Sequence, residues 1–323
     1  MKFGLRRLPV DMLAAAIGVN SRNRLSTLMY HRVMDEPDYM RSGETILEDF
    51  KWQMELISRY FCPLSISDAL ELMESGSLPE RAICVTFDDG YADNAVHALP
   101  ILKKWRIPAT VFVSTNFLDG GIMWNDLILE GFKNPALERI DLSNYGLGKH
   151  LLDSKEARYS SACEVLTKIK HLNPVLRDNI VGFISNHLDS IPTDLMLTSG
   201  QLLHLRNEGV EIGAHTHTHP ILASLENGDA YFEISNSKKI LETIIGGTVN
   251  YFAYPNGKQG QDFCDEHASM VEEIGFRAAF STMVGVSDVN TDRYRIPRFT
   301  PWDKSRARFL VRLILNMKRL VGN

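Results

Sequence analysis

Short runs of β-branched and aromatic residues recur along the chain, separated by stretches whose apolar positions have helical spacing. The runs are Leu25 to His31, Ala82 to Phe87, Ala109 to Ser114, Val210 to Ala214, Tyr251 to Tyr254, Arg277 to Ser281 and Tyr294 to Phe299. Most are nearly continuous in apolar character instead of alternating, the pattern of strands in a parallel sheet covered on both faces. Between them the spacing predicts helices over Glu48 to Tyr60, Ile66 to Ser75, Ala92 to Trp105, Ser199 to Glu208, Tyr231 to Ile245 and Phe263 to Ile274. Alternation of strand and helix, repeated about seven times, argues for an α/β fold with right-handed crossovers. Leu118 to Leu197 breaks the rhythm: no strand is visible there, and Ser154 to Lys170 is its clearest helix. It reads as a mostly helical insertion at about 118–197 in one strand-to-helix connection, since such loops vary without disturbing a barrel.

At a soft prior of about 150 residues per domain, 323 residues make two domains or one large barrel. The even spread of apolar runs favours one barrel over 26–302, between an N-terminal surface segment at 1–25 and a C-terminal helix at 303–323. Hydrophobic residues at 44%, charged residues at 23% and only 13 Pro and 22 Gly exclude a disordered, collagenous or membrane-bundle chain. A net charge of −5 gives no global attraction to phosphate backbones, so no nucleic-acid partner is expected. The four cysteines, Cys62, Cys84, Cys163 and Cys264, form no C-x-x-C pair, and Cys84 reads as core. Near the N-terminus, Lys2, Arg6 and Arg7 precede the apolar Met12 to Val19, but Pro9 and Asp11 interrupt the pattern. A surface helix is expected there instead of a cleaved signal, and with it a cytoplasmic location.

Chemistry concentrates at two strand ends. Ile83 to Phe87 runs directly into Asp88-Asp89-Gly90. Two adjacent carboxylates repel if they share one environment, so the pair needs a cation or separate tasks. Taken alone it reads more readily as an Asp-Gly turn with solvated carboxylates. The second strand, Val210 to Ala214, ends in His215-Thr-His217-Thr-His219-Pro220, three of the chain's 10 histidines within five residues. Four-residue spacing brings the His215 and His219 rings to one side of a turn, where two imidazoles and one carboxylate make a three-ligand metal set with open positions. Parallel barrels converge their strand ends on one face, so both clusters can meet. One aspartate then binds the metal while the other deprotonates the water that attacks a carbonyl. Asp88 leaves the strand first and is assigned as base, Asp89 as ligand.

Thr86-Phe87-Asp88-Asp89-Gly90 together with His215-Thr-x-Thr-His219-Pro220 resembles the paired signature of the polysaccharide deacetylases, the NodB-homology carbohydrate esterases, over roughly Ser26 to Pro301. The resemblance implies a distorted (β/α) barrel of about seven strands and a divalent metal of zinc type, with Asp88 as base and Asp89, His215 and His219 as ligands. It also implies hydrolysis of an acetyl group. The expected activity is removal of the acetyl group of an N-acetylated sugar in a polysaccharide or glycolipid precursor, a metal-activated water attacking the amide carbonyl. Two rivals remain open: hydrolysis of a small non-sugar amide, and a carbohydrate-binding relative without catalysis.

Later motifs depart from the family pattern. Phe252-Ala253-Tyr254-Pro255-Asn256-Gly257 stands where many members carry Arg-Pro-Pro-Tyr-Gly. A backbone N–H near Asn256 still serves as an oxyanion donor in this reading, but Ala253 replaces the arginine, leaving Arg295 or Arg298 to supply the charge. The family's late Leu-x-His general acid is absent, as no histidine follows His267. His31, at the end of the first apolar run, is the best remaining candidate for acid, donor or orienter. His217 is expected to point away from the metal, and Trp124 with Asp126 to border the cleft. Ser305 to Val321 has Leu310, Leu313, Ile314, Met317, Leu320 and Val321 on one side and Arg308, Arg312 and Arg319 on the other. Such a helix packs on the barrel or makes peripheral contact with an anionic membrane surface.

Overall fold

The computed structural model describes residues 21–319 apart from residue 189. The expected helix at Met1 to Val19 and the terminal Leu320 and Val321 lie outside the described residues. The strands are β1 (Leu25–Tyr30), β2 (Val33–Met34), β3 (Thr45–Ile46), β4 (Cys62–Pro63), β5 (Ala82–Phe87), β6 (Ala109–Val113), β7 (Arg139–Asp141), β8 (Lys149–Leu151), β9 (Glu211–Ala214), β10 (Tyr251–Ala253) and β11 (Ala278–Phe280). The helices are α1 (Leu47–Tyr60), α2 (Ile66–Glu74), α3 (Leu99–Trp105), α4 (Trp124–Lys133), α5 (Lys155–Ile169), α6 (Pro174–Ser185), α7 (Ser199–Asn207), α8 (Asn227–Ile245), α9 (Asp265–Glu273) and α10 (Arg306–Asn316).

Seven strands form one parallel α/β sheet in the order β1-β5-β6-β9-β10-β11, with β4 also paired to β5. Leu25 lies beside Ala82 and Tyr30 beside Phe87, so β1 and β5 end level with each other. Alternate residues divide between two apolar layers, as a pleated strand requires. Ile83, Val85 and Phe87 join Val111, Ile212 and Phe252 against the surrounding helices. Ala82 and Cys84 turn the other way, into a layer with Phe112, Phe280 and the α2 residues Ile66, Ala69 and Leu70. Burial on both faces explains why the strands read as continuous apolar runs.

The expected last strand, Tyr294 to Phe299, is not a regular strand. It makes isolated parallel bridges instead, Ile296 to Phe280 on β11 and Phe299 to Leu28 on β1. Pro297 lacks the N–H that a continuous ladder requires. The segment nevertheless spans from one edge of the curled sheet to the other, and so carries Arg298 across the barrel mouth.

Two further expectations need correction. The helix over Ala92 to Trp105 opens instead with a π-helical turn at Asn94–Ala98 before α3 begins. Asn94 donates from Nδ2 to the carbonyl of His31 at 2.9 Å, so the widened turn serves the end of β1. The stretch between 118 and 197 is not free of strands, for β7 and β8 pair as an antiparallel hairpin. Residues of that hairpin and of α4, α5 and α6 build a separate apolar cluster around Ile128, Phe132, Ile140, Val165 and Ile180. The apolar side of α10 is turned inward, with Phe309, Leu310, Leu313, Ile314 and Met317 all buried. Among the described residues no helix is long and apolar enough to cross a membrane.

Candidate metal centre and catalytic face

β5 and β9 deliver the two clusters to the same end of the sheet. Asp89 takes a positive φ of 73° immediately after the strand, and Gly90 follows at 88°, where an added Cβ would come within 2.9 Å of Val113. Glycine is required at that second position by both backbone and space. Thr216, His219 and Asn256 also have positive φ. Left-handed conformations at non-glycine residues cost energy and gather at functional sites, here beyond the ends of β5, β9 and β10.

The structure brings Asp89, His215 and His219 together. Asp89 Oδ1 lies 3.4 Å from His215 Nε2 and 3.3 Å from His219 Nε2. Tetrahedral coordination at bond lengths near 2.0–2.2 Å spaces ligand atoms about 3.4 Å apart, so the set fits a divalent ion of zinc type. The donor chemistry agrees. Asp89 Oδ1 is buried without a hydrogen-bond partner. His215 Nδ1 is 2.7 Å from the carbonyl of Ala253 on β10, which keeps the proton on Nδ1 and leaves Nε2 a bare lone pair. Burial, above all, pushes the His219 imidazole down to about 4, so it is neutral at physiological pH. Burial raises the Asp89 carboxyl, and the imidazoles of His215, His219 and His31, when they carry protons, outweigh it and hold the carboxyl well below its usual range.

Asp88 has different neighbours. Arg298 Nη1 donates to Asp88 Oδ1 at 2.6 Å and Nη2 to Oδ2 at 2.7 Å, while Nε holds the carbonyl of Ser281 at 3.0 Å. Both side chains are almost fully buried. Burial alone would raise the Asp88 carboxyl; the guanidinium and His215 hold it below its ordinary value. Of the two arginines considered from the sequence, Arg298 meets the aspartate. Arg295 lies elsewhere, paired with Asp292 and with Asp265.

His31 stands at the end of β1, within electrostatic reach of Asp89, Glu44 and Asp88. Burial would lower its imidazole, but these carboxylates prevail and the net displacement is upward. Asn256 lies three residues beyond Ala253, the carbonyl partner of His215, and so at the same rim; its own carbonyl accepts from Thr282 Oγ1 at 2.6 Å. His217 turns away from the ligand cluster, with Nδ1 2.8 Å from Thr115 Oγ1. Asp126 does not face a cleft: it is buried, bonded to Arg41 at 2.7 Å and to Tyr91 Oη at 2.9 Å. Trp124 is covered by Arg177, whose guanidinium carbon is 4.9 Å from the ring centre.

Two carboxylates near the site were not singled out from the sequence. Glu44 accepts from the backbone N–H of Arg32 at 3.3 Å, and burial raises its carboxyl. Glu233 on α8 receives the backbone N–H groups of His217 and Thr218 at 2.8 and 2.7 Å and the Thr218 hydroxyl at 2.6 Å. It pins the loop between His215 and His219. Neither carries a local motif, since each acts on a segment distant in the chain.

Comparison with known proteins shows the family and the fold. The family described as Polysaccharide deacetylase matches residues 75–279. A poly-β-1,6-N-acetyl-D-glucosamine N-deacetylase of Staphylococcus epidermidis (strain ATCC 35984 / DSM 28319 / BCRC 17069 / CCUG 31568 / BM 3577 / RP62A) is 32% identical over 110 residues, which are 30% of this chain and 38% of that protein. Among solved structures, the Streptococcus pyogenes deacetylase PplD in complex with acetate is similar at a TM-score of 0.60 and 17% identity, covering 90% of this chain and 98% of its own. IcaB from Ammonifex degensii is similar at a TM-score of 0.58 and 18% identity, covering 92% and 97%. At these identities the two structures show a shared fold.

Proposed function

Because the chain belongs to the polysaccharide deacetylase family, whose members are hydrolases of carbon–nitrogen bonds other than peptide bonds, we propose that it removes the acetyl group from an N-acetylated sugar of a polysaccharide or glycolipid precursor. The observation that carries the reading is the division of labour between two adjacent aspartates. Asp88 is clamped by Arg298, whereas Asp89 faces two imidazole nitrogens with an oxygen left unpartnered. Two carboxylates set in such different surroundings take different tasks. Asp89, His215 and His219 would hold a divalent ion, zinc by its preference for this donor set, which supplies Lewis-acid polarisation when bound.

The remaining roles fall to the chain itself. Asp88 is the base that takes the proton of the attacking water, and Arg298 keeps it ionised and fixes the direction of its oxygens. The backbone N–H of Asn256 donates to the developing oxyanion of the acetyl carbonyl. His31, which its carboxylate neighbours make easier to protonate, gives a proton to the departing amine. The name of the Staphylococcus relative makes poly-β-1,6-N-acetyl-D-glucosamine the first polymer to try.

The test is acetate release by zinc-loaded protein from neutral and acidic N-acetylated oligosaccharides, polymers and lipid-linked sugars. Release that disappears on chelation and returns with metal supports the proposal. No release from any of them by protein shown to bind metal would overturn it.

A further inference from the structure

Arg177 on α6 is a nearly buried cation with no firm partner. It is 6% exposed, and its closest carboxylate oxygen is Asp178 Oδ1, 3.7 Å from Nε, on a side chain that is itself 68% exposed. Nε is buried, and beyond this long contact with the exposed Asp178 it has no partner among the described residues. Two neighbouring groups are orphaned as well: Trp124 Nε1, in the ring on which Arg177 stacks, and Asn125 Oδ1 beside it in the chain. Buried polar atoms without partners are rare in native proteins, and a buried cation without one is costly.

The helices add to the positive field. Arg177 packs on Trp124, and seven residues further along each helix Ile184 packs so closely on Gly131 that an added Cβ would lie 2.5 Å from Ile184 Cγ2. Equal offsets mean that α4 and α6 run parallel, with both N-termini at the Arg177 end. Met123 gives α4 no side-chain cap, and the first turn of that helix, the positive end of its dipole, faces the same region. Asp126, the acidic residue of that turn, is already engaged by Arg41 and Tyr91.

Two contacts tie this end of the helices to the segments that carry Asp89 and the histidines. Met123 packs with Tyr91, two residues beyond Asp89. Arg177 also lies within electrostatic reach of Glu233, whose two oxygens are committed to the His217–Thr218 loop. We infer that Arg177, with the first turn of α4, forms an anion subsite that takes a carboxylate or phosphate carried by the saccharide next to the acetylated sugar. The inference rests on the deacetylase reading and narrows its substrate class to acidic glycans.

The experiment compares three N-acetylglucosamine tetrasaccharides on zinc-loaded protein: one neutral, one alternating with glucuronic acid, one alternating with a sugar phosphate. The wild-type protein is expected to prefer an acidic substrate about tenfold in kcat/KM, a preference that shrinks as salt rises, and the better of the two acidic arms identifies the anion. Arg177→Met should bring the ratio of acidic to neutral kcat/KM close to one, mainly through KM, while Arg177→Lys keeps part of it. Calorimetric titration of metal-free protein with the same acidic oligosaccharides provides a readout apart from turnover, with weaker binding expected for Arg177→Met. Equal use of neutral and acidic substrates by the wild type, or a preference that survives Arg177→Met, would overturn the subsite and leave the deacetylase reading intact. If no tetrasaccharide is turned over, the titration decides alone: equal binding of the acidic oligosaccharides by wild type and Arg177→Met overturns the subsite, and the deacetylase reading is judged separately by the wider substrate panel.

Discussion

Arg298 grips both oxygens of Asp88, at 2.6 and 2.7 Å, across a sequence separation of 210 residues. The arginine arrives on the segment that bridges β11 to β1, so the chain closes its sheet and fixes the Asp88 carboxylate with the same few residues. Ala253, where many relatives carry an arginine, thereby costs the site no positive charge.

Replacing Arg298 with Met leaves the Asp88 carboxyl buried without its counter-charge. Its pKa then rises, because burial is opposed only by more distant cations. The acidic limb of the kcat/KM profile should move upward by a pH unit or more, and turnover should fall about 100-fold. Breaking a buried pair on one side also costs roughly 3–5 kcal/mol, readable in denaturant unfolding. An acid limb that stays in place would show that the titrating base is not Asp88.

The two aspartates should separate in a metal assay. Asp88→Asn is expected to abolish acetate release while retaining nearly the full metal content, whereas Asp89→Asn, His215→Ala and His219→Ala each lose metal by tenfold or more in affinity. Equal loss of metal in all four proteins would contradict the assigned split.

Much of this arrangement is legible in sequence because its physical signals are local. Continuous apolar runs mark strands buried on both faces, and the polar residues that immediately follow Phe87 and Ala214 mark the functional end of the sheet. What escapes is long-range. The choice between Arg295 and Arg298 depends on which side of the bridging segment turns inward, and no periodicity marks a segment that is not a regular strand. Glu233 is one carboxylate on an ordinary amphipathic helix; its three hydrogen bonds exist only once α8 is docked behind the histidine loop. Likewise the hairpin of β7 and β8 is too short, at three residues per strand, to leave a pattern.

Glu233→Gln tests that docking. An amide keeps the size but replaces one acceptor oxygen by a donor, so at least one of the bonds to His217 N–H, Thr218 N–H and the Thr218 hydroxyl is lost. Metal affinity should fall about tenfold, with the melting temperature of the metal-free protein changing far less. Unchanged affinity, measured by titration against a competing chelator, would show that the loop holds its shape without the carboxylate.

The depressed His219 imidazole has a consequence for metal-free protein. In the unfolded chain this histidine binds a proton near pH 6.5, but in the folded chain only near pH 4. Between those values the unfolded state carries the extra proton, so stability falls as pH falls, by up to roughly 3 kcal/mol across the window. His31, displaced upward, works in the opposite direction, so the comparison must be between proteins. Chelated wild type should lose melting temperature from pH 7 to 4.5 more steeply than chelated His219→Asn. Parallel curves would rule out a buried neutral His219.

The last prediction concerns α10, where two leucines two positions apart have opposite surroundings. Leu313 is 1% exposed, in a layer with Phe309, Leu310 and Met317, and the Phe309 ring meets Trp52 of α1 edge-on at 5.5 Å. Leu315 is 58% exposed. If the helix is a docked part of the barrel, Leu313→Ala removes buried methyl groups and leaves a cavity, a cost of about 2–5 kcal/mol. Leu315→Ala should fall within about 0.5 kcal/mol of the wild type. A helix held instead by lipid would present its apolar side outward, and then neither change would alter unfolding in water, while Leu313→Ala would weaken flotation with anionic liposomes. Urea unfolding of both variants, alongside flotation, therefore decides whether the basic face of α10 is the outer side of a structural helix or the rim of a membrane-binding one; the buried Leu313 predicts the former.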